Sequence, residues 1–146
     1  MRLRPFRAAD LETLYQIDQA CFPPAVSYSR SELARFIGHR GSQTWIAVEG
    51  ETIVGFLIAH RGLGKAGYIV TIDVIESRRR GGVGSRLMDA AEAWARQQGL
   101  ESVSLETAED NLAAQKFYAA RGYSQVEKRE DYYGPGQAAW RMVKSL

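Results

Sequence analysis

Apolar residues recur along this chain in two rhythms, and each change of rhythm marks the start of a new element. Leu3 to Arg7 alternates as a short edge strand, where Pro5 is tolerated. Leu11, Leu14 and Ile17 then recur at helical spacing behind Asp10, a good N-cap, and Cys21-Phe22-Pro23-Pro24 ends that helix. Ser29-x-x-Glu32 reads as a capping box for a second helix carrying Leu33, Phe36 and Ile37, which Gly38 stops. Period-two alternation returns from Gln43 to Glu49 around Trp45 and Ala47, turns at Gly50-Glu51, and resumes from Thr52 to Arg61. A β-branched strand, Ala66 to Ile75, follows a loop containing Gly62 and Gly64. Val83 to Gln98 is a third helix with Val83, Leu87, Met88, Ala91, Trp94 and Ala95 on one face and Gly99 beyond its end. The strand Ser102 to Glu106 and a fourth helix, Leu112 to Ala120, come next. Two strands, Ser124 to Tyr132 and Ala138 to Lys144, then flank the turn Gly134-Pro135-Gly136.

The predicted order is β-α-α-β-β-β-α-β-α-β-β. Hairpins in the middle and at the end argue for an α/β (α+β) fold with a mixed, twisted sheet of about seven strands and helices on both faces. They argue against a doubly wound parallel sheet. No repeat, linker or low-complexity tract interrupts the pattern, so residues 1–146 are expected to form a single domain.

The strongest chemical signal lies between the Ala66–Ile75 strand and the third helix. Arg78-Arg79-Arg80-Gly81-Gly82-Val83-Gly84 places glycines and arginines at a helix N-terminus, where free N–H groups and the helix dipole suit a diphosphate. A P-loop is excluded because Gly84 is followed by Ser85-Arg86, with no Lys-Ser/Thr. A dinucleotide fingerprint is excluded because Leu87 stands where its third glycine belongs. The bland alternative is a basic loop that only caps a surface helix.

Composition narrows the function classes. The net charge of +2 and the scattered arginines give no basic stripe, so no nucleic-acid partner is expected. No apolar run approaches the roughly 20 residues of a membrane span, so no membrane partner is expected either. The start of the chain lacks a signal peptide's apolar segment. The single cysteine, Cys21, suits a reducing compartment and reads as a packed thiol, and a cytoplasmic protein is expected. His39 and His60 lie far from the glycine-rich run in sequence, and with one cysteine they make no metal set, so no metal is expected.

The spacing Arg79-x-x-Gly82-x-Gly84 after a strand resembles the pyrophosphate loop of the GNAT superfamily of N-acetyltransferases, and the element order resembles that fold from end to end. Further segments are similar to its RimI-type and N-terminal-acetyltransferase branch. These are Glu106-Thr107-Ala108-Glu109-Asp110-Asn111, then Ala114 to Tyr118 with Arg121-Gly122-Tyr123, and Asp131-Tyr132-Tyr133-Gly134. Tyr68-Ile69-Val70-Thr71 resembles the fourth strand of eukaryotic N-terminal members. A tryptophan usual after the Pro-rich loop is replaced by Tyr28 or absent, which leaves the acceptor open.

The resemblance implies acetyl-CoA as the acetyl donor. Its pantetheine arm would lie along Ile72, Asp73 and Val74, with a backbone N–H near Val74 polarising the thioester carbonyl. Arg79, Arg80, Gly81, Gly82, Val83 and Gly84 would hold the diphosphate, and Asn111 would cap its helix and touch the same ligand. Asp73 is a departure, since members often carry a small residue there. It either meets the incoming ammonium or points away. Tyr118, a phenol protonated at neutral pH, is the implied general acid, against a bland reading as a packed core tyrosine. Glu106 is the implied base, directly or through water, with Tyr68 as its rival. Glu109 and Asp110 read as surface and capping residues. Phe22 and Tyr28 in one loop, and Tyr132 and Tyr133 in the last hairpin, would line the acceptor groove.

At physiological pH about a quarter of an α-amine is neutral, against about 0.1% of a lysine amine. An α-amine therefore asks little of a single carboxylate, and two hairpin tyrosines suit gripping a peptide backbone. Acetylation of a protein N-terminus is expected. A small-molecule amine or lysine acetyltransferase, or an idle acetyl-CoA-binding sensor, are the alternatives; the pair Tyr118 and Glu106 speaks against the sensor. The oligomeric state is open.

Overall fold

A computed structural model of the chain describes residues 1–146. The order of elements follows the predicted one. The strands are β1 (Arg2–Pro5), β2 (Ser42–Glu49), β3 (Thr52–Arg61), β4 (Ala66–Val74), β5 (Ser102–Ala108), β6 (Ser124–Gly134) and β7 (Gln137–Ser145). The helices are α1 (Leu11–Cys21), α2 (Arg30–Gly38), α3 (Val83–Gln97) and α4 (Leu112–Ala120), and short 3-10 turns precede α1 and follow β4. All seven strands form one sheet in the order β1-β2-β3-β4-β5-β7-β6. Only β4 and β5 are parallel, joined through α3 as a crossover requires.

Each face of the sheet has its own core. Val83, Leu87, Met88, Ala91 and Ala95 of α3 pack with Leu57, Val103, Leu105, Tyr118 and Met142 on one face. Leu14, Ile17 and Leu33 from α1 and α2 cover Ile46, Val48, Phe56, Ile58 and Val70 on the other. The expected α3 stripe is buried except for Trp94, which is half-buried against Trp45. Glu92 lies inside the stripe. It accepts from the Tyr123 hydroxyl at 2.9 Å and from Lys144 at 2.8 Å, so its burial is compensated.

Local readings divide at the first helix. The Ser29/Glu32 capping box forms in both directions, at 3.1 and 3.0 Å. Asp10, in contrast, does not cap α1 with its side chain. The carboxylate turns back to accept two bonds from Arg4, at 2.8 and 2.9 Å, and the Arg7 N–H at 2.8 Å. A forked guanidinium pair outcompetes a cap, and it holds the Asp10 carboxyl below its ordinary range. The first strand also stops at Pro5, two residues short of expectation.

Two irregularities shape the sheet's centre. The β3–β4 register slips between Ile58 and Ala59, so Val70 is an extra residue in β4. The β4–β5 pairing covers only Ala66 to Tyr68 against Ser102 to Ser104. Beyond Tyr68 the two strands diverge, while β5 stays paired with β7 along its whole length.

Gly55 fits β3 tightly at this point. A Cβ there would stand 2.7 Å from the Asp73 carbonyl oxygen and 3.3 Å from Val83. Gly55→Ala is expected to destabilise the fold by about 2 kcal/mol, as overpacking against backbone does. Urea unfolding checks this, and an unchanged midpoint would contradict it.

Candidate active site

A cavity of about 1040 Å³ opens where β4 and β5 part. Its walls come from β4, from β5, from the loop after α1, from the start of α3 and from α4. Because ladder groups alternate in direction, residues whose neighbours bond β3 turn their own main-chain groups away from it. Val74 shows this directly: its carbonyl accepts from Arg79 Nε at 3.1 Å and from the Cys21 thiol at 3.5 Å, both outside the sheet. Ile72, two residues earlier, presents its N–H and C=O the same way, so β4 offers an unpaired strand edge to the cavity.

The far end of the cavity is built for an anion. The first bond on entering α3 runs from the Arg86 N–H to the Gly82 carbonyl at 3.0 Å, and the N–H groups from Gly81 to Ser85 bond to no carbonyl. Gly82 sits at φ +88°, which L side chains avoid. A Cβ on Gly84 would press on the Phe117 ring at 3.3 Å, so glycine there lets α3 and α4 close together. Arg79, Arg80, Gly82 and Gly84 line the cavity with Arg78 of the same run, joined by Ser85, to which the sequence pattern assigns no role. Gly81 and Val83 do not line it; Val83 is buried in the core beneath the loop. These free N–H groups and flanking guanidinium groups fit a diphosphate.

Asn111 caps α4 by accepting the Ala114 N–H at 3.1 Å and also lines the cavity. Beside it, Phe117 and Tyr118 face the gap from α4. Burial, with a contribution from the Asp73 carboxyl, pushes the Tyr118 phenol above its ordinary pKa, so it is protonated at neutral pH.

At the other end, Glu106 on β5 reaches across to β4. One of its oxygens accepts the Tyr68 hydroxyl, and the other lies 3.7 Å from Arg129 Nε on β6. Only 8% of the Glu106 side chain is exposed. The two rival bases thus form one hydrogen-bonded unit. Burial first, and then Glu106, raises the Tyr68 phenol far above its usual range, so Tyr68 donates and Glu106 accepts. Burial raises the nearby Tyr132 phenol, with Tyr68 and Glu106 also acting on it.

The two histidines reach the edge of this unit. His60 lies on Tyr68, ring centroids 5.3 Å apart, and His39 lies on His60 at the same spacing. The β3–β4 register opposes His60 to Tyr68, which linear distance concealed.

Of the other aromatics, Phe22 and Tyr28 line the cavity, and the Tyr28 hydroxyl reaches the Val70 carbonyl at 3.5 Å. Tyr133 borders a separate hollow of about 140 Å³ with Pro23, Val26 and Asp110, and packs edge-on against Tyr132 at 4.9 Å. Asp110 lines both spaces, while Glu109 pairs with Lys128 at 2.7 Å. Asp73 resolves the alternative left open by the sequence. Its carboxyl is turned from the cavity toward α1, where Thr71 Oγ1 donates to it at 2.5 Å. The bulge at Val70 sets that phase.

The diverging parallel strands and the anion-ready helix start define an acyl-transferase architecture. Residues 11–123 match the family described as acetyltransferase (GNAT), and the chain belongs to it. It is 27% identical over 120 residues to N-alpha-acetyltransferase 30 of Schizosaccharomyces pombe, covering 80% of each chain. Among solved structures it is similar to Ard1 from Thermoplasma volcanium, with TM-score 0.88 and 27% identity, covering 99% of this chain and 97% of that one. The fold is also that of the ribosomal-protein-S18-alanine N-acetyltransferase from Escherichia coli, with TM-score 0.86, 22% identity, and coverage of 99% and 93%. No helix is long and apolar enough to cross a membrane.

Proposed function

We propose that the protein transfers an acetyl group from acetyl-CoA to the N-terminal α-amine of a protein or peptide. The observation that carries this reading is the hydrogen-bonded Tyr68–Glu106 unit at the point where β4 leaves β5, at one end of a gap whose other end presents the free N–H groups that open α3. The name of the relative N-alpha-acetyltransferase 30 of Schizosaccharomyces pombe supports the same acceptor class.

Acetyl-CoA supplies an acetyl group activated as a thioester. Gly82, Gly84 and Ser85 offer main-chain N–H groups to its diphosphate, with Arg79 and Arg80 adding charge. Ile72 and Val74 offer strand-like bonds to its arm, and the Val74 N–H lies where it polarises a carbonyl. Asn111 and Phe117 bound the same channel. Glu106 Oε2 takes the proton of the incoming ammonium, directly or through a water, while Tyr68 holds that carboxylate in place. The neutral nitrogen then bonds the acetyl carbon as the C–S bond breaks; Tyr118, kept protonated by burial, gives its proton to the departing thiolate, and the second proton shed by the nitrogen restores the phenol. Phe22, Tyr28, Tyr132 and Tyr133 provide aromatic surface for the acceptor chain.

One carboxylate with no second base suits an amine that is already partly neutral. Turnover assayed as thiol release is expected on peptides with free N-termini, and to fall at least about 100-fold on Nα-blocked peptides whose only amine is a lysine, following the neutral fractions. Preference for small free amines or for lysine would contradict the proposed acceptor. Tyr118→Phe is expected to lower kcat about 100-fold with little change in KM, as loss of a general acid does. Gly84→Glu is expected to weaken acetyl-CoA binding by about 100-fold in calorimetry, because it aims a carboxylate at the diphosphate and crowds Phe117. Unchanged affinity would remove the assigned diphosphate site.

A further inference from the structure

Two carboxyl groups lie buried beside the cavity and take no part in the chemistry above. Asp18 on α1 is 0% exposed, and Asp73 on β4 is 1% exposed. Each uses one oxygen on a neighbour. Asp18 Oδ2 accepts the Tyr28 N–H at 2.7 Å, and Asp73 Oδ1 accepts Thr71 Oγ1 at 2.5 Å. The remaining oxygens, Asp18 Oδ1 and Asp73 Oδ2, are both buried without a hydrogen-bond partner, on two elements packed together here, where the Cys21 thiol of α1 donates to the Val74 carbonyl of β4 at 3.5 Å. They belong to no group of three or more His, Cys, Asp or Glu placed to hold a metal ion.

We propose that Asp18 and Asp73 share one proton, and that the resulting carboxyl–carboxylate bond clamps the loop Phe22 to Tyr28 onto β4, positioning the acceptor side of the acyl-transfer site. This rests on the function proposed above. Two bare carboxylates buried in one seam repel strongly, whereas one proton between them turns the repulsion into a charge-assisted bond. The pair then carries one negative charge rather than two, and the Arg79 guanidinium stands nearby, bonded to the Val74 carbonyl and the Cys21 sulfur. Burial and Asp18 together push the Asp73 carboxyl well above its ordinary range, so Asp73 carries the proton. The other titratable groups around the pair are Cys21 on α1, Tyr28 in the loop and Tyr118 on α4. Cys21 is pushed up to about 11 by burial and Asp73, and the two phenols are raised, so all three stay neutral across the physiological range.

The clamp joins two parts of the groove wall. Asp18 fixes the loop through the Tyr28 N–H, and the Tyr28 hydroxyl reaches the Val70 carbonyl at the β4 bulge. Asp73 fixes β4 between the two main-chain positions, Ile72 and Val74, that face the gap. A proton therefore sets the spacing between the acceptor loop and the strand edge.

Comparison of wild type, Asp73→Asn and Asp73→Ala tests this. An asparagine amide replaces the shared proton with a permanent donor to Asp18. Asp73 has a folded value above its unfolded one, so its protonated form stabilises fully below the unfolded value, and that stability is lost as pH rises toward the folded one. The Tm of wild type is therefore expected to fall relative to Asp73→Asn by about 4 °C between about pH 5 and about pH 8. Parallel Tm curves would overturn the shared proton. Asp73→Ala is expected to raise the acceptor-peptide KM about tenfold while acetyl-CoA affinity changes less than about threefold, and Asp73→Asn to restore the KM. An Asp73→Asn enzyme as impaired as Asp73→Ala would overturn the positioning role. If Asp73→Ala does not fold, the thermal comparison of the other two proteins decides. If wild type acetylates no amine, the proposed function falls, and the same thermal comparison still decides the pair.

Discussion

The interruption of one pair of strands organises this protein. β4 and β5 are parallel neighbours for three residues and then separate. β5 is held by β7 along its whole length, so the opening is made by β4, which the extra residue at Val70 bends. An unpaired strand edge inside a folded core leaves main-chain donors and acceptors without partners, a costly arrangement unless water or a ligand satisfies them. The fold places every other part of the site around that edge. α3 enters at its far end with free N–H groups, α4 brings Phe117 and Tyr118 to its side, and the loop after α1 closes it from the opposite face.

Charge is distributed along the opening in a consistent gradient. Arginines and helix N–H groups gather at the α3 end, and the Glu106–Tyr68 unit lies at the β5 end. The Asp18–Asp73 pair lies between them, just beneath the strand. At that position a fully ionised pair would set two negative charges beneath the groove, and a single shared proton removes one of them. The raised phenols of Tyr118, Tyr68 and Tyr28 follow from the same enclosure, since burial disfavours each phenolate.

The sequence revealed what is locally encoded. The capping box at Ser29 and Glu32, the stripe on α3 and the glycine loop each depend on residues a few positions apart, and the structure contains all of them. Features made by register were illegible. The direction of the Asp73 side chain depends on the bulge at Val70, which shifts every later side chain by one position. The stack of His60 on Tyr68 depends on β3–β4 pairing, and the insertion of β7 between β5 and β6 depends on long-range pairing. Asp10 looked like a cap because its sequence context is that of one; the rival was Arg4, six residues away in an adjacent strand.

The central claim is that the open edge of β4 and the start of α3 together hold one extended ligand. Amide hydrogen exchange, read residue by residue with and without coenzyme A, tests it most directly. The account predicts that the N–H groups of Ile72, Val74 and Gly82 to Ser85 become protected together at the same ligand concentration. Protection of the α3 start without any change at Ile72 and Val74 would contradict it, because the opening between the strands would then have no part in binding.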